Sequence, residues 1–294
     1  MTFFARKSVL LVLGMHRSGT SALTRVLSLC GGALPRTLFE AVAGDNERGY
    51  WESRRLIEYH EALLSRIGTT MIAEQPIDPA WFASKDARVA EADLLKIVHE
   101  EWGRGMFSQS RCWLIKEPRI CRLLPLWRRV LRKTGRRVSA LHAVREPAEV
   151  AASLAKRDGM PTALAQRAWM EHVLLAERYT RDLPRAFVSY QLLMGDWRTV
   201  VARAAAILPR GTLVPTPATA AIEEFLHPSL RHHAAIDEPL SDSVTRVRDA
   251  MMDAVRWGAA PRCEILDDVC RDELAVVHES EQSNAMTQVT SVSR

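Results

Sequence analysis

The chain has 294 residues, 47% of them hydrophobic and 26% charged, which suits a soluble globular protein with a full core rather than a disordered or fibrous one. Forty basic against 35 acidic residues leave a net charge of +5. That mild excess suits an anionic small ligand and does not call for nucleic acid as a partner. Five cysteines, Cys30, Cys112, Cys121, Cys263 and Cys270, form neither a CxxC pair nor a metal-ligand spacing, so reduced, packed thiols in a cytoplasmic protein are expected.

The first element is the apolar run 9–13 (VLLVL), too short for a membrane span and without a cleavage site after it, so neither a membrane span nor secretion is expected. It reads as a buried parallel strand that feeds a glycine turn and then a helix over 21–30. An insertion over 35–111 follows, helical at 54–67 and 85–102, placed to wall a substrate site. Residues 112–116 (CWLIK) predict a second strand, with an amphipathic helix over 123–133 behind it. Residues 137–144 (RVSALHAV) predict a third, and Pro147 opens the helix that follows, to about 156. A fourth strand at 186–190 (AFVSY) leads to a helix over 196–208. From 241 a helical pattern runs to about 278, and residues 279–294, rich in Ser, Gln and Thr, read as a flexible tail. The eight tryptophans are scattered and assigned to packing.

Strands alternating with helices predict a single α/β domain over 1–278, a three-layer sandwich around a mainly parallel sheet that binds its ligand at the carboxyl ends of the strands. The residues that suggest chemistry all lie at those ends. Residues 14–21, GMHRSGTS, have the spacing of a phosphate loop, in which glycines let successive amides and a helix start converge on a phosphate. A nucleoside triphosphatase would carry Lys where Thr20 stands; here the cation is Arg17.

The loop resembles the 5'-phosphosulfate loop of sulfotransferases that use 3'-phosphoadenylyl sulfate (PAPS), and the resemblance extends over residues 8–233. It implies a P-loop-like sulfotransferase topology and a binding loop made of Gly14, His16, Arg17, Ser18, Gly19, Thr20 and Ser21, with Arg17 near the bridging oxygen of the donor. It also implies that Arg145 and Ser153, eight residues apart, hold the 3'-phosphate, a role that suits an arginine fork. Tyr190 is implied as the adenine contact, although Gln191 stands where the family has Glu and Ala22 where it has an aromatic residue.

Sulfuryl transfer relies on positioning, charge stabilisation and removal of the acceptor proton, without a metal. Residues 46–52 (NERGYWE) and 116–119 (KEPR) resemble segments of bacterial sulfotransferases. Glu52 is implied as the base, with Glu40 in reserve, Lys116 as a charge-neutralising cation and Arg119 at the acceptor mouth. Residues 225–233 also resemble a family segment, without a role, and the pair His232 and His233 suits a surface better than a metal site. His16 and His142 end strands, one expected to pack in the loop and the other in the sheet.

The expected function is therefore sulfuryl transfer from PAPS to a hydroxyl, releasing adenosine 3',5'-bisphosphate. The resemblance favours a carbohydrate or glycoconjugate acceptor and is compatible with a homodimer. A small-molecule kinase, or a non-catalytic nucleotide-binding relative, shares the fold; the missing loop lysine argues against the first, and Arg17, Lys116 and Glu52 argue against the second.

Overall fold

The computed structural model describes residues 7–42, 45–72, 76–103, 110–214, 216–226 and 239–274. The tail 279–294, the helical stretch 275–278, and residues 227–233 of the segment holding His232 and His233 lie outside the described residues.

The uninterrupted apolar run at the start of the chain feeds two cores at once. In strand β1 (Ser8–Leu13), Val9, Leu11 and Leu13 point into one apolar cluster while Leu10 and Val12 point into another. This is the alternation of a strand buried on both faces. Its neighbours are β2 (Cys112–Lys116) on one side and β3 (Arg137–Val144) on the other, with β4 (Arg185–Ser189) beyond β3, giving the order β2-β1-β3-β4 with every pair parallel. The register sets Val12 opposite Lys116, Leu13 opposite His142 and Val144 opposite Ser189, so the strands end along one edge.

Helices cover both faces, as a three-layer sandwich requires. Helices α1 (Thr20–Leu29), α2 (Arg54–Arg66), α3 (Lys85–Trp102), α4 (Ile120–Lys133), α5 (Pro147–Asp158) and α6 (Thr162–Arg178) precede β4. After it come α7 (Tyr190–Gly195), α8 (Trp197–Ala206), α9 (Thr219–Phe225), α10 (Asp242–Trp257) and α11 (Cys263–Leu274). One face packs on α2, α3, α4 and part of α6, and the other on α1, α8 and α9. A third cluster joins Met15, Val144 and Phe187 to α5, α6, α10 and α11.

The insertion belongs to the main core: α3 packs on α4, and Trp102 donates its indole N–H to the Ala33 carbonyl at 3.1 Å. Ala33 also pairs with the outer edge of β2, accepting from Leu114 N at 2.9 Å and donating to the Cys112 carbonyl at 2.8 Å. Trp113, Trp127 and Trp169 are fully buried, which makes them core residues rather than a stacking surface.

Helices α6, α7 and α9 lie outside the sequence expectations, and apart from the C-terminal stretch the remaining elements match them to within a few residues. Helix α6 carries no amphipathic stripe, because it is buried on nearly every side. The C-terminal helical stretch is two helices, separated where Gly258 takes a left-handed conformation, φ 63°, three residues before Pro261.

Candidate active site

The glycine turn lies between β1 and α1 and folds tightly. Gly14 has φ 154°, and a Cβ there would stand 2.6 Å from the Ala143 carbonyl oxygen of β3. Gly19, at φ 81°, precedes α1 as its left-handed cap, and a Cβ on it would collide with the Tyr190 ring. Between them Ser18 N donates to the Met15 carbonyl at 3.2 Å, closing a turn in which Arg17 has φ 66°. Among the described non-glycine residues only Arg17 and Trp51 (φ 59°) have positive φ, and both are in this site. Such conformations cost free energy and persist where surrounding structure enforces them.

The two segments expected to share one ligand are in direct contact. Arg145, just past β3, donates through Nη1 to the Arg17 carbonyl at 2.5 Å and through Nε to Glu149 at 2.8 Å. Ser153, on the face of α5 that meets the loop, accepts from Arg17 Nε at 2.8 Å. Tyr190 is the first residue of α7 rather than the last of the strand, and its ring fills the space between Gly19 and the Arg145 guanidinium, which lies 4.8 Å from the ring centre.

On the other side of the loop, Lys116 spends its three N–H groups on Ser21 Oγ (2.9 Å), the Tyr50 carbonyl (3.0 Å) and a short contact to Glu52 Oε1. Both charges of that pair are buried. Burial, reinforced by the charge of Glu117, raises the pKa of Glu52 above the ordinary carboxylate value against the opposing pull of Lys116. Glu52 thus sits one residue from the loop hydroxyl with Lys116 between them. Glu40 stays outside this group, exposed and paired with Arg54 at 2.7 Å.

Behind Lys116 runs a second buried chain of contacts. Trp127 Nε1 donates to His60 Nε2 at 3.0 Å, which leaves Nδ1 as the proton-bearing nitrogen that meets Glu117 in a short hydrogen bond. Arg119 donates to the same carboxylate at 2.5 Å and to Glu61 at 2.7 Å. Burial opposes ionisation of Glu117, but His60 and Arg119 prevail and hold its pKa down at about 2.

Sequence reasoning passed over three of these residues. Asp45 binds Arg17 at 2.5 Å, accepts from the Tyr50 hydroxyl at 2.5 Å and lies 3.7 Å from Arg157. Arg157 follows Ser153 by four residues, so the two share a helix face, a spacing legible in sequence. His60 had no such signal, since its partners are Glu117, just past β2, and Trp127 in α4. His142 packs in the sheet as expected, against Phe187 and bonded to Thr180 at 3.0 Å.

The loop fits a bound phosphate. Ser18 Oγ is buried without a hydrogen-bond partner, as is His16 Nε2, although buried hydroxyl and imidazole nitrogen atoms are ordinarily paired. The first turn of α1 offers amides that no intrahelical carbonyl satisfies, and no side chain caps it. Burial first, then the cations Arg119, Lys116 and Arg157, hold the His16 pKa well below 6.5, so it is neutral at pH 7.

No protein-family model and no curated protein sequence matches the chain. Solved structures do. The sulfotransferase domain of a Synechococcus olefin synthase is 17% identical, with 90% of this chain and 94% of that one covered at a TM-score of 0.43. The sulfotransferase domain from the curacin biosynthetic pathway is 14% identical, covering 87% and 99% at 0.44. A third, from Mycobacterium tuberculosis, is 16% identical, covering 83% and 76% at 0.42. All three are sulfotransferases. The described sheet of this chain is all-parallel and flanked by helices. Among the described residues no helix is long and apolar enough to cross a membrane.

Proposed function

We propose that the protein is a sulfotransferase that uses PAPS and transfers to the hydroxyl of an acceptor. The observation that supports this reading is the clasp of Arg145 and Ser153 on Arg17, in which the two segments here assigned to the two ends of a doubly phosphorylated adenosine are in contact. When bound, PAPS supplies the sulfuryl group, and adenosine 3',5'-bisphosphate is the product. The amides of the first turn of α1, with the hydroxyls of Ser18, Thr20 and Ser21, hold the 5' end, supported by the unpartnered Ser18 Oγ. Arg145 and Ser153 hold the 3'-phosphate, and Tyr190 faces the adenine.

Glu52 receives the acceptor proton on its carboxylate. Its raised pKa makes it a stronger base than an exposed glutamate, and Lys116 keeps the charge of the site balanced as the proton moves. Arg17 supplies the loop cation once a ligand displaces Asp45 from it. Glu40, exposed and held by Arg54, takes no part. Five free cysteines support work in a reducing compartment, the cytoplasm.

Calorimetric titration tests the donor site. Hydrogen bonds to a charged group are worth about 1.5–3 kcal/mol, so adenosine 3',5'-bisphosphate should bind roughly 10–100-fold more tightly than AMP, which lacks the 3'-phosphate. Equal affinity for the two sinks the reading, and metal-dependent ATP turnover would replace it with a kinase.

A further inference from the structure

Arg119, one turn of chain beyond Lys116, also lines a cavity of about 590 Å³ formed by Glu61, Leu64, Ser65, Gly68, Thr69, Thr70, Met71 and Ile72 with it. The size is that of a small-molecule site. The cavity is held in shape from below: Arg122, fully buried and paired with Glu171 at 2.9 Å, donates to Thr69 Oγ1 at 3.2 Å and to the Thr70 carbonyl. Arg119 is in turn fixed by Glu117 and Glu61. Arg119 follows by three residues Lys116, whose ammonium contacts Glu52, and it is bonded to Glu117 between them, so the segment 116–119 joins the cavity to the proposed base.

The lining has a definite chemistry. Leu64, Met71 and Ile72 give it apolar walls, the hydroxyls of Ser65, Thr69 and Thr70 lie among them, and its two charges, Arg119 and Glu61, neutralise each other at 2.7 Å. No aromatic ring stands among these residues to stack on a sugar. With its guanidinium already bound to two carboxylates, Arg119 is not set to receive an acidic group. Resting on the sulfotransferase reading, we infer that this cavity is the acceptor site and that its occupant is an uncharged alcohol or phenol with an apolar body, its hydroxyl directed past Arg119 toward Glu52. This departs from the carbohydrate acceptor favoured by the sequence resemblance.

The test uses the full chain and two probes, 2-naphthol and methyl α-glucoside. Naphthol fluorescence should titrate saturably without donor, and Met71→Asp should weaken that binding by roughly tenfold or more, because an apolar wall gains a charge. Ser65→Trp fills the mouth from an exposed position, so it keeps the test valid if Met71→Asp fails to fold. Both variants should bind adenosine 3',5'-bisphosphate as the wild type does. With PAPS, label should pass to naphthol and not to the glucoside. Transfer to the glucoside alone, or naphthol binding that neither variant weakens, overturns the inference while leaving the donor site standing. If the bisphosphate fails to bind, the donor reading falls, and the naphthol titration with its two variants still decides the cavity.

Discussion

Exchanging Glu52 for Gln separates the stabilising part of the Lys116 pair from its chemical part. The Glu52 residue is 3% exposed and Lys116 4%, so Glu52→Gln leaves an ammonium group inside the protein with Ser21 Oγ and the Tyr50 carbonyl as its remaining charge-free acceptors beside the new amide. Breaking a buried pair by removing one partner costs about 3–5 kcal/mol. At about 2–4 °C per kcal/mol, the melting temperature should fall by roughly 6–20 °C. Lys116→Met should lose a similar amount, with a different dependence on pH. The stranded carboxyl then favours its protonated form in the folded protein, so the loss deepens as pH rises above 4.5, the ordinary value. Combining the two exchanges removes both charges and should restore most of the stability. Turnover should behave otherwise: loss of a general base costs about 10²–10⁴-fold in kcat, and the double variant, however stable, should not recover it. Scanning calorimetry gives the melting temperatures and labelled sulfuryl transfer at saturating PAPS gives kcat. Undiminished kcat in Glu52→Gln refutes the base assignment, and additive melting losses in the double variant refute the coupling of the pair.

In the wild type, the acid limb of kcat should lie above 4.5, because the base must be ionised and its pKa is raised; a limb at or below that value contradicts the burial argument. Asp45→Asn removes the carboxylate that competes for Arg17 and Arg157, so adenosine 3',5'-bisphosphate should bind more tightly by calorimetry, and weaker binding would show that Asp45 orders the loop instead. Gly19→Ala sets a Cβ against the Tyr190 ring at φ 81° and should cost about 1–3 kcal/mol or more in stability, together with bisphosphate affinity; a neutral result in both measurements argues against the tight turn. Burial, with Arg185 beside His142, lowers the pKa of His142 to about 3, and burial lowers that of His172 to about 4. Both take up protons at 6.5 when unfolded, so the stability that they contribute is full above that pH and drains as pH falls through 4 and then 3. The urea midpoint should decline from about pH 7 to about pH 4.5, and a flat profile would contradict their burial as neutral rings.

The strands and the loop were legible because their signals are local. A run such as 112–116 is apolar and bounded, and 14–21 couples two glycines to a strand before and a helix after. The buried helix α6 was not legible, since Gln166, Glu171, His172 and Glu177 lie inside it and erase the polar face that periodicity detects. Glu171 and Glu177 are buried because arginines meet them, Arg122 of α4 for Glu171, and Arg181 with Arg185, just past the helix, for Glu177. The same limit hid the contact of His60 with Glu117, 57 residues apart. Asp45 was missed although it directly precedes the segment 46–52, because a single aspartate in a loop is ordinary until the fold sets it on Arg17.

The strand β2 lies at the margin of the sheet, where unpaired backbone groups invite pairing with another chain. Ala33 closes that margin from outside, and the chain then runs on through the stretch that delivers Asp45, Tyr50 and Glu52. Protection against self-association and assembly of the candidate site are thus duties of one stretch of sequence. A lesion that detaches it would bare a hydrogen-bonding rim as it dismantles the candidate site, so variants that lose the site should also be sticky.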